Sequence, residues 1–240
     1  MKPGSPAPDQ HGLKGETSVH ELTRAQRAIA RRTAESRATV PDLELGAEVE
    51  IDAALALARE RGCSLTALLV HVCAVALREH PYANGAYRDG RYEIYSRVNV
   101  GVTVQTDESY LAPTVLDADT KPLQQLSAEL DGAAARARAG ELTPPELAGA
   151  TFTLTDLGEH GVGWMTALIA PPQAASLTAG AVRSVPILRD GSVVPGHALS
   201  LTLACDSRIL FGARAAGFLA RVVALLESAA QRANGPADAP

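Results

Sequence analysis

From Leu43 to Ile51 the chain alternates Leu43, Leu45, Ala47, Val49 and Ile51 with mostly polar neighbours, a period of two that predicts a half-buried strand. A helical period flanks it on both sides. Leu22, Ala25, Ile29 and Ala30 gather near one face of Leu22–Ala38, with Arg24, Arg27, Arg31 and Arg32 mostly on others, and Pro41 stops that helix. Its arginines form a solvated face or serve a neighbouring site. Asp52 is placed to cap a helix from Ala53 to Arg61, and Ser64 caps another, Leu65 to Glu79, apolar nearly all round and therefore central. His71, within it, reads as a hydrogen-bonded core histidine or a catalyst.

Two strands are predicted between Tyr87 and Asp107, the second being Val98–Val104, and a third at Tyr110–Leu116. A long helix follows at Lys121–Gly140, and Thr143-Pro144-Pro145-Glu146 starts a short one. Thr151–Leu157 is a strand leading into a loop punctuated by Gly158, Gly161 and Gly163. Strands at Ala174–Val182, Val185–Leu188 and His197–Ala204 come next, with Asp190-Gly191 as the hairpin turn, and a helix closes the chain at Ala213–Ala233. Hairpin-linked strands with helices on one face predict an α+β layered domain.

With 240 residues, 46% of them hydrophobic, the chain suffices for one domain with a full core. Its ends read differently: residues 1–20 as a flexible arm and 234–240 as a frayed tail, around a domain at 21–233. A net charge of −5, with no basic cluster interleaved with aromatics, argues against nucleic acid as a partner. Three cysteines, Cys63, Cys73 and Cys205, without metal-type spacing argue against a disulfide framework or a zinc site. No apolar run approaches the ~20 residues that span a bilayer, and no signal peptide opens the chain, so a soluble, cytoplasmic protein without membrane contacts is expected.

Several stretches, by order and spacing, resemble the catalytic domain of the dihydrolipoyl acyltransferases of 2-oxoacid dehydrogenase complexes, with the chloramphenicol acetyltransferase-like fold. They are Arg27–Ser36, Ser64–Pro81, Arg97–Thr106, Gly140–Gly158, Pro171-Pro172-Gln173 and Leu201–Gly212. The resemblance implies a mixed sheet covered by helices, a trimer, and acyl transfer between coenzyme A and a dihydrolipoyl thiol at sites between subunits. It also implies a histidine base in an Asp-His-Arg-x-x-Asp-Gly pattern and a Ser or Thr hydroxyl that donates to the oxyanion.

On this chain Thr155 takes the place of the hydroxyl donor, Asp156 replaces the usual amide, and Asp206, Arg208 and Gly212 match the final motif. Ser207 stands where the histidine would be and Phe211 where the second aspartate would be. A serine hydroxyl cannot accept a thiol proton at neutral pH, and losing a general base forfeits ~10²- to 10⁴-fold in rate. The expectation is therefore a repurposed enzyme of polyketide-type specialised metabolism. It would carry out a cyclisation, rearrangement or elimination supported by Thr155, Ser207 and Asp206, with no required cofactor. One alternative is a free-standing acyltransferase using coenzyme A or a carrier thioester, with His160, in the loop after Thr155, as the base or a plain surface residue. Another is a catalytically silent or ligand-binding subunit. Tyr110 and Trp164 are candidate walls of a small-molecule pocket, beside Phe211 and Asp156, and Cys205 is a pocket thiol or a small apolar strand residue. No metal ligands are expected. With no lipoyl domain before Leu22 and no apolar anchor at the C-terminus, a free-standing homotrimer is expected.

Overall fold

The computed structural model describes residues 18–106, 109–166 and 168–228. Most of the expected arm, the last residues of the helix expected to reach Ala233 and all of the expected tail lie outside them. At the start of helix α1 (Arg24–Thr39), the Thr23 hydroxyl accepts from the Gln26 N–H at 3.2 Å, while the Gln26 side chain accepts from the Thr23 N–H at 2.9 Å. This reciprocal cap satisfies two otherwise orphaned donors. Strand β1 (Asp42–Glu50) follows with the alternation read from its sequence, Leu45, Ala47 and Val49 packing into the core.

Helix α2 (Asp52–Arg61) corrects one expectation. Asp52 is its first residue and not its cap; the carboxylate meets His197 Nδ1 at 2.7 Å and Arg189 Nη2 at 3.2 Å. The Ile51 N–H donates to the His197 carbonyl at 2.9 Å, so the distant hairpin sets an imidazole and a guanidinium beside Asp52, and they draw its side chain away from the local N–H groups. Ser64 caps α3 (Leu65–Glu79) as expected, its hydroxyl accepting from Ala67 N at 3.1 Å.

The next strands are shorter than the valine run implied. β2 (Gly85–Arg88) and β3 (Arg91–Ile94) form a ribbon across Asp89-Gly90, whose φ values of 49° and 77° suit a tight hairpin turn. Val98–Val104 divides into β4 (Val100–Val102) and the start of β5 (Val104–Gln105), because the chain changes partners at Thr103. β5 pairs with β6 (Tyr110–Leu111), and β4 with β7 (Thr114–Val115), Pro113 interrupting between them for want of an N–H. Helix α4 (Leu123–Ala139) ends at Gly140, whose φ of 73° lies in the left-handed region.

The remaining elements are β8 (Phe152–Asp156), β9 (Ala175–Ala179), β10 (Arg183–Arg189), β11 (Ser192–Asp206) and α5 (Gly212–Glu227). β11 begins earlier than the periodicity implied because its first half is zipped to β10, Leu188 opposite Val193. The main sheet runs β1-β11-β9-β8-β4-β7, with β4, β8 and β9 parallel to one another and the other pairs antiparallel. It is an α+β fold: a mixed sheet covered by helices.

One row across the sheet, Leu154, Leu177, Leu203 and Leu45, belongs to the core that the helices cover, and Phe152 meets Phe218 of α5 edge-on at 5.7 Å. The neighbouring row, Thr155, Thr178, Thr202 and Gly46, therefore lies on the other face. Residues 161–166 and 168–173 lie against that face as a strap. Ala181 N donates to Val162 O at 2.7 Å, and the Ser36 hydroxyl donates to Ile169 O at 2.7 Å. A Cβ on Gly180 would stand 2.0 Å from the Gly163 carbonyl oxygen, so only glycine admits the strap this close. Among the described residues, no single helix is long and apolar enough to cross a membrane.

Candidate functional site

β11 ends in the turn that carries the altered motif. Asp206 is 2% exposed, and its carboxylate accepts three bonds from Arg208: from the backbone N at 3.0 Å, Nε at 2.8 Å and Nη2 at 2.6 Å. Its carbonyl accepts from Ile209 N and Leu210 N, closing the turn. The Arg208 guanidinium stacks 4.0 Å from the centroid of the Tyr87 ring, and its bond to Asp206 raises its pKa further above the ordinary value. Asp206 and Arg208 thus make a rigid base for whatever stands between them.

What stands there is Ser207, whose hydroxyl donates to the Pro41 carbonyl at 2.7 Å. Phe211 follows at the position before α5, 55% exposed, and gives that helix no side-chain cap. Cys205 is fully buried beside Asp206; burial, helped by the neighbouring carboxylate, pushes its thiol up to about 12, so the thiolate is scarcely populated at neutral pH.

Thr155 lies in a second cluster, near the end of β8. It is 8% exposed, and its Oγ1 is 2.9 Å from Thr103 Oγ1. Both carboxylate oxygens of Asp156 are engaged: Oδ2 accepts from the Thr66 hydroxyl at 2.6 Å and Oδ1 from Gly158 N at 2.9 Å. This pins α3 to the start of the loop. His160 ends the 3-10 turn Gly158–His160 and is exposed. Trp164, on the strap, lines a cleft of ≈ 420 Å³ with Glu44, Gly46, Thr166, Ser200 and Thr202. Tyr110 stands on the β5–β6 ribbon, half a hairpin beyond Thr103, and it and Trp164 make no ring contact with each other.

The two clusters are apart. Thr155 is level with Thr202 two strands away, and Asp206 lies four residues further along β11, which by strand spacing places Thr155 and Asp206 about 16 Å from each other. Four partners escaped the sequence reading: Pro41, Thr66, Thr103 and Tyr87. Only Thr103, a hydroxyl in a valine run, left a trace in the local pattern. Among the described residues, no group of three or more His, Cys, Asp or Glu side chains could hold a metal ion.

Residues 14–233 match the family model described as the 2-oxoacid dehydrogenases acyltransferase (catalytic domain). The dihydrolipoyllysine-residue acetyltransferase component of the pyruvate dehydrogenase complex of Bacillus subtilis (strain 168) is 33% identical over 231 residues, covering 92% of this chain and 52% of its own length. The chain spans about half the length of the curated relatives it matches. Among solved structures, the dihydrolipoamide acetyltransferase of Azotobacter vinelandii superposes with a TM-score of 0.83 at 28% identity, over 95% of this chain and 97% of that one. A chloramphenicol acetyltransferase, with a TM-score of 0.52 at 15% identity over 82% of this chain and 94% of that one, shares the fold.

These relatives correct the expectation of a polyketide-type cyclisation, rearrangement or elimination. Proteins alike over nine-tenths of the chain are named acetyltransferases, and they support acyl transfer. Ser207 and Phe211 are two side chains set in a framework that Asp206 and Arg208 keep rigid, so their identities alone were too narrow a basis for a new reaction.

Proposed function

Because the chain belongs to the family of 2-oxoacid dehydrogenase acyltransferase catalytic domains, we propose that it transfers an acyl group between a coenzyme A thioester and a thiol of the dihydrolipoyl type. The observation that supports this reading is the buried Thr155 hydroxyl, 2.9 Å from Thr103 Oγ1 near the end of β8, a donor of the kind that a forming oxyanion needs. The acceptor thiolate attacks the acyl carbonyl carbon, a carbon–sulfur bond forms, and Thr155 donates to the oxyanion. Collapse breaks the bond to coenzyme A, whose thiolate takes a proton from solvent.

Ser207 leaves the motif without an imidazole, so the acceptor thiol ionises to solvent before it attacks. The distance of about 16 Å between Thr155 and Asp206 favours a site completed by two copies, in a homotrimer. Residues 21–233 form the catalytic domain, the acyl substrates are the small-molecule partners, no resident cofactor is needed, and the compartment is the cytoplasm.

The test is direct. Purified protein is mixed with acetyl-coenzyme A and dihydrolipoamide, and the S-acetyldihydrolipoamide that forms is separated from acetyl-coenzyme A by chromatography and quantified, because one thioester replaces another. Transfer above the uncatalysed rate is expected, rising about tenfold per pH unit below the acceptor's pKa, near 8.5 for a free thiol. No transfer from a panel of short and branched acyl-coenzyme A donors would overturn the proposal.

A further inference from the structure

Thr103 interrupts the valine run, and the chain changes partners there. Its N–H donates to Leu154 O at 2.9 Å, and the strand beyond it turns away to pair with β6. That break sets its hydroxyl 2.9 Å from Thr155 Oγ1. Beside them Thr178, register partner of Thr155, is 1% exposed and its Oγ1 has no hydrogen-bond partner, so it gives the Thr155 hydroxyl no second anchor.

We propose that Thr103 is a positioning residue: its hydroxyl donates to Thr155 Oγ1, fixing that side chain's rotamer and leaving the Thr155 proton to be given to the acyl oxygen. This rests on the acyl-transfer reading. Two hydroxyls hold two protons, and one bond between them uses one. With Thr103 as donor, the remaining proton is on Thr155. A hydroxyl that accepts one bond is polarised toward donating another, by about 10–30% per bond. A donor already aimed where charge develops also needs no reorientation at the moment of reaction. Without Thr103, a threonine side chain at position 155 would be free to exchange between staggered rotamers.

Two variants separate positioning from packing. Thr103→Val keeps the shape and removes the hydroxyl; Thr103→Ser keeps the hydroxyl. Loss of one oxyanion donor costs ~10²- to 10³-fold in kcat, so loss of its positioner should cost about tenfold. The expected result is kcat about tenfold lower in T103V with KM and melting temperature unchanged, and kcat restored in T103S. In parallel, three-bond NMR couplings to the Thr155 methyl carbon report its rotamer without any turnover: one rotamer in the wild type and T103S, averaging in T103V. If the wild type transfers no acyl group, the acyl-transfer reading fails and the couplings alone judge the contact. A single Thr155 rotamer in T103V, or an unchanged kcat, would overturn the inference.

Discussion

The Ser207 hydroxyl and the Ser207 backbone N–H both donate to one acceptor, the carbonyl oxygen of Pro41, at 2.7 and 3.0 Å. The side chain at the old base position therefore ties the turn to the residue before β1. Ser207→Ala should leave the rate of acyl transfer within about twofold, because no proton is accepted there, and lower stability by about 1 kcal/mol, the usual worth of such a bond. Chemical denaturation and initial rates check both. A collapse in rate would show that the hydroxyl takes part in the reaction.

Restoring the base should raise the rate. Ser207→His combined with Phe211→Asp supplies an imidazole and a carboxylate on the frame that Asp206 and Arg208 hold rigid, and about 10²-fold or more is expected from a general base. The new rate should also rise with pH through an inflection near 6.5, the imidazole range, since only the neutral ring accepts a proton. A pH–rate profile of the double variant, set against the wild type, measures it.

The buried carboxylate of Asp206 depends on its partner. Arg208→Ala leaves Asp206, 2% exposed, with one backbone donor from residue 208 in place of three bonds, and should destabilise the fold by about 3 kcal/mol. Arg208→Lys should recover only part of this, because a point charge cannot reproduce the two-pronged geometry. Urea midpoints of the three proteins order the effect.

Cys205 and Cys73 should resist alkylation in the folded protein. Burial pushes both thiols up to about 12, with the charge of Asp206 adding to the effect at Cys205. Thiols whose folded pKa stands above the unfolded value stabilise the fold below about pH 9, and that contribution is lost as pH climbs toward 12. Iodoacetamide at pH 8 should therefore label the half-buried Cys63 first, and the other two only on unfolding, as peptide mass spectrometry would show.

Two copies of the chain are expected to share each site. Light scattering of the purified protein should give a mass near that of three chains of 25.0 kDa. A monomer would leave the Thr155 and Asp206 clusters unable to meet.

Much of this was legible along the chain. Ser64 announced α3, Gly140 ended α4, and Thr155, Asp206 and Arg208 were singled out by their match to the motifs of the family that the chain resembles. Asp52 did not, because its carboxylate answers to His197 and Arg189, groups 145 and 137 positions away. Nor did Pro41, which enters the site only through a carbonyl that every residue possesses. The functional reading went astray at Ser207 and Phe211 for a related reason: a substitution is visible in sequence, while the frame that survives around it is a matter of hydrogen bonds.

Gly180 carries one last consequence. The strap above the sheet, with Trp164 on it, rests on a position that has no side chain, so the depth of the cleft is set from the floor. A single methyl group there would lift the aromatic roof without altering any residue that lines the cleft. Pocket size in this chain could thus drift through a residue that comparisons of lining side chains would pass over.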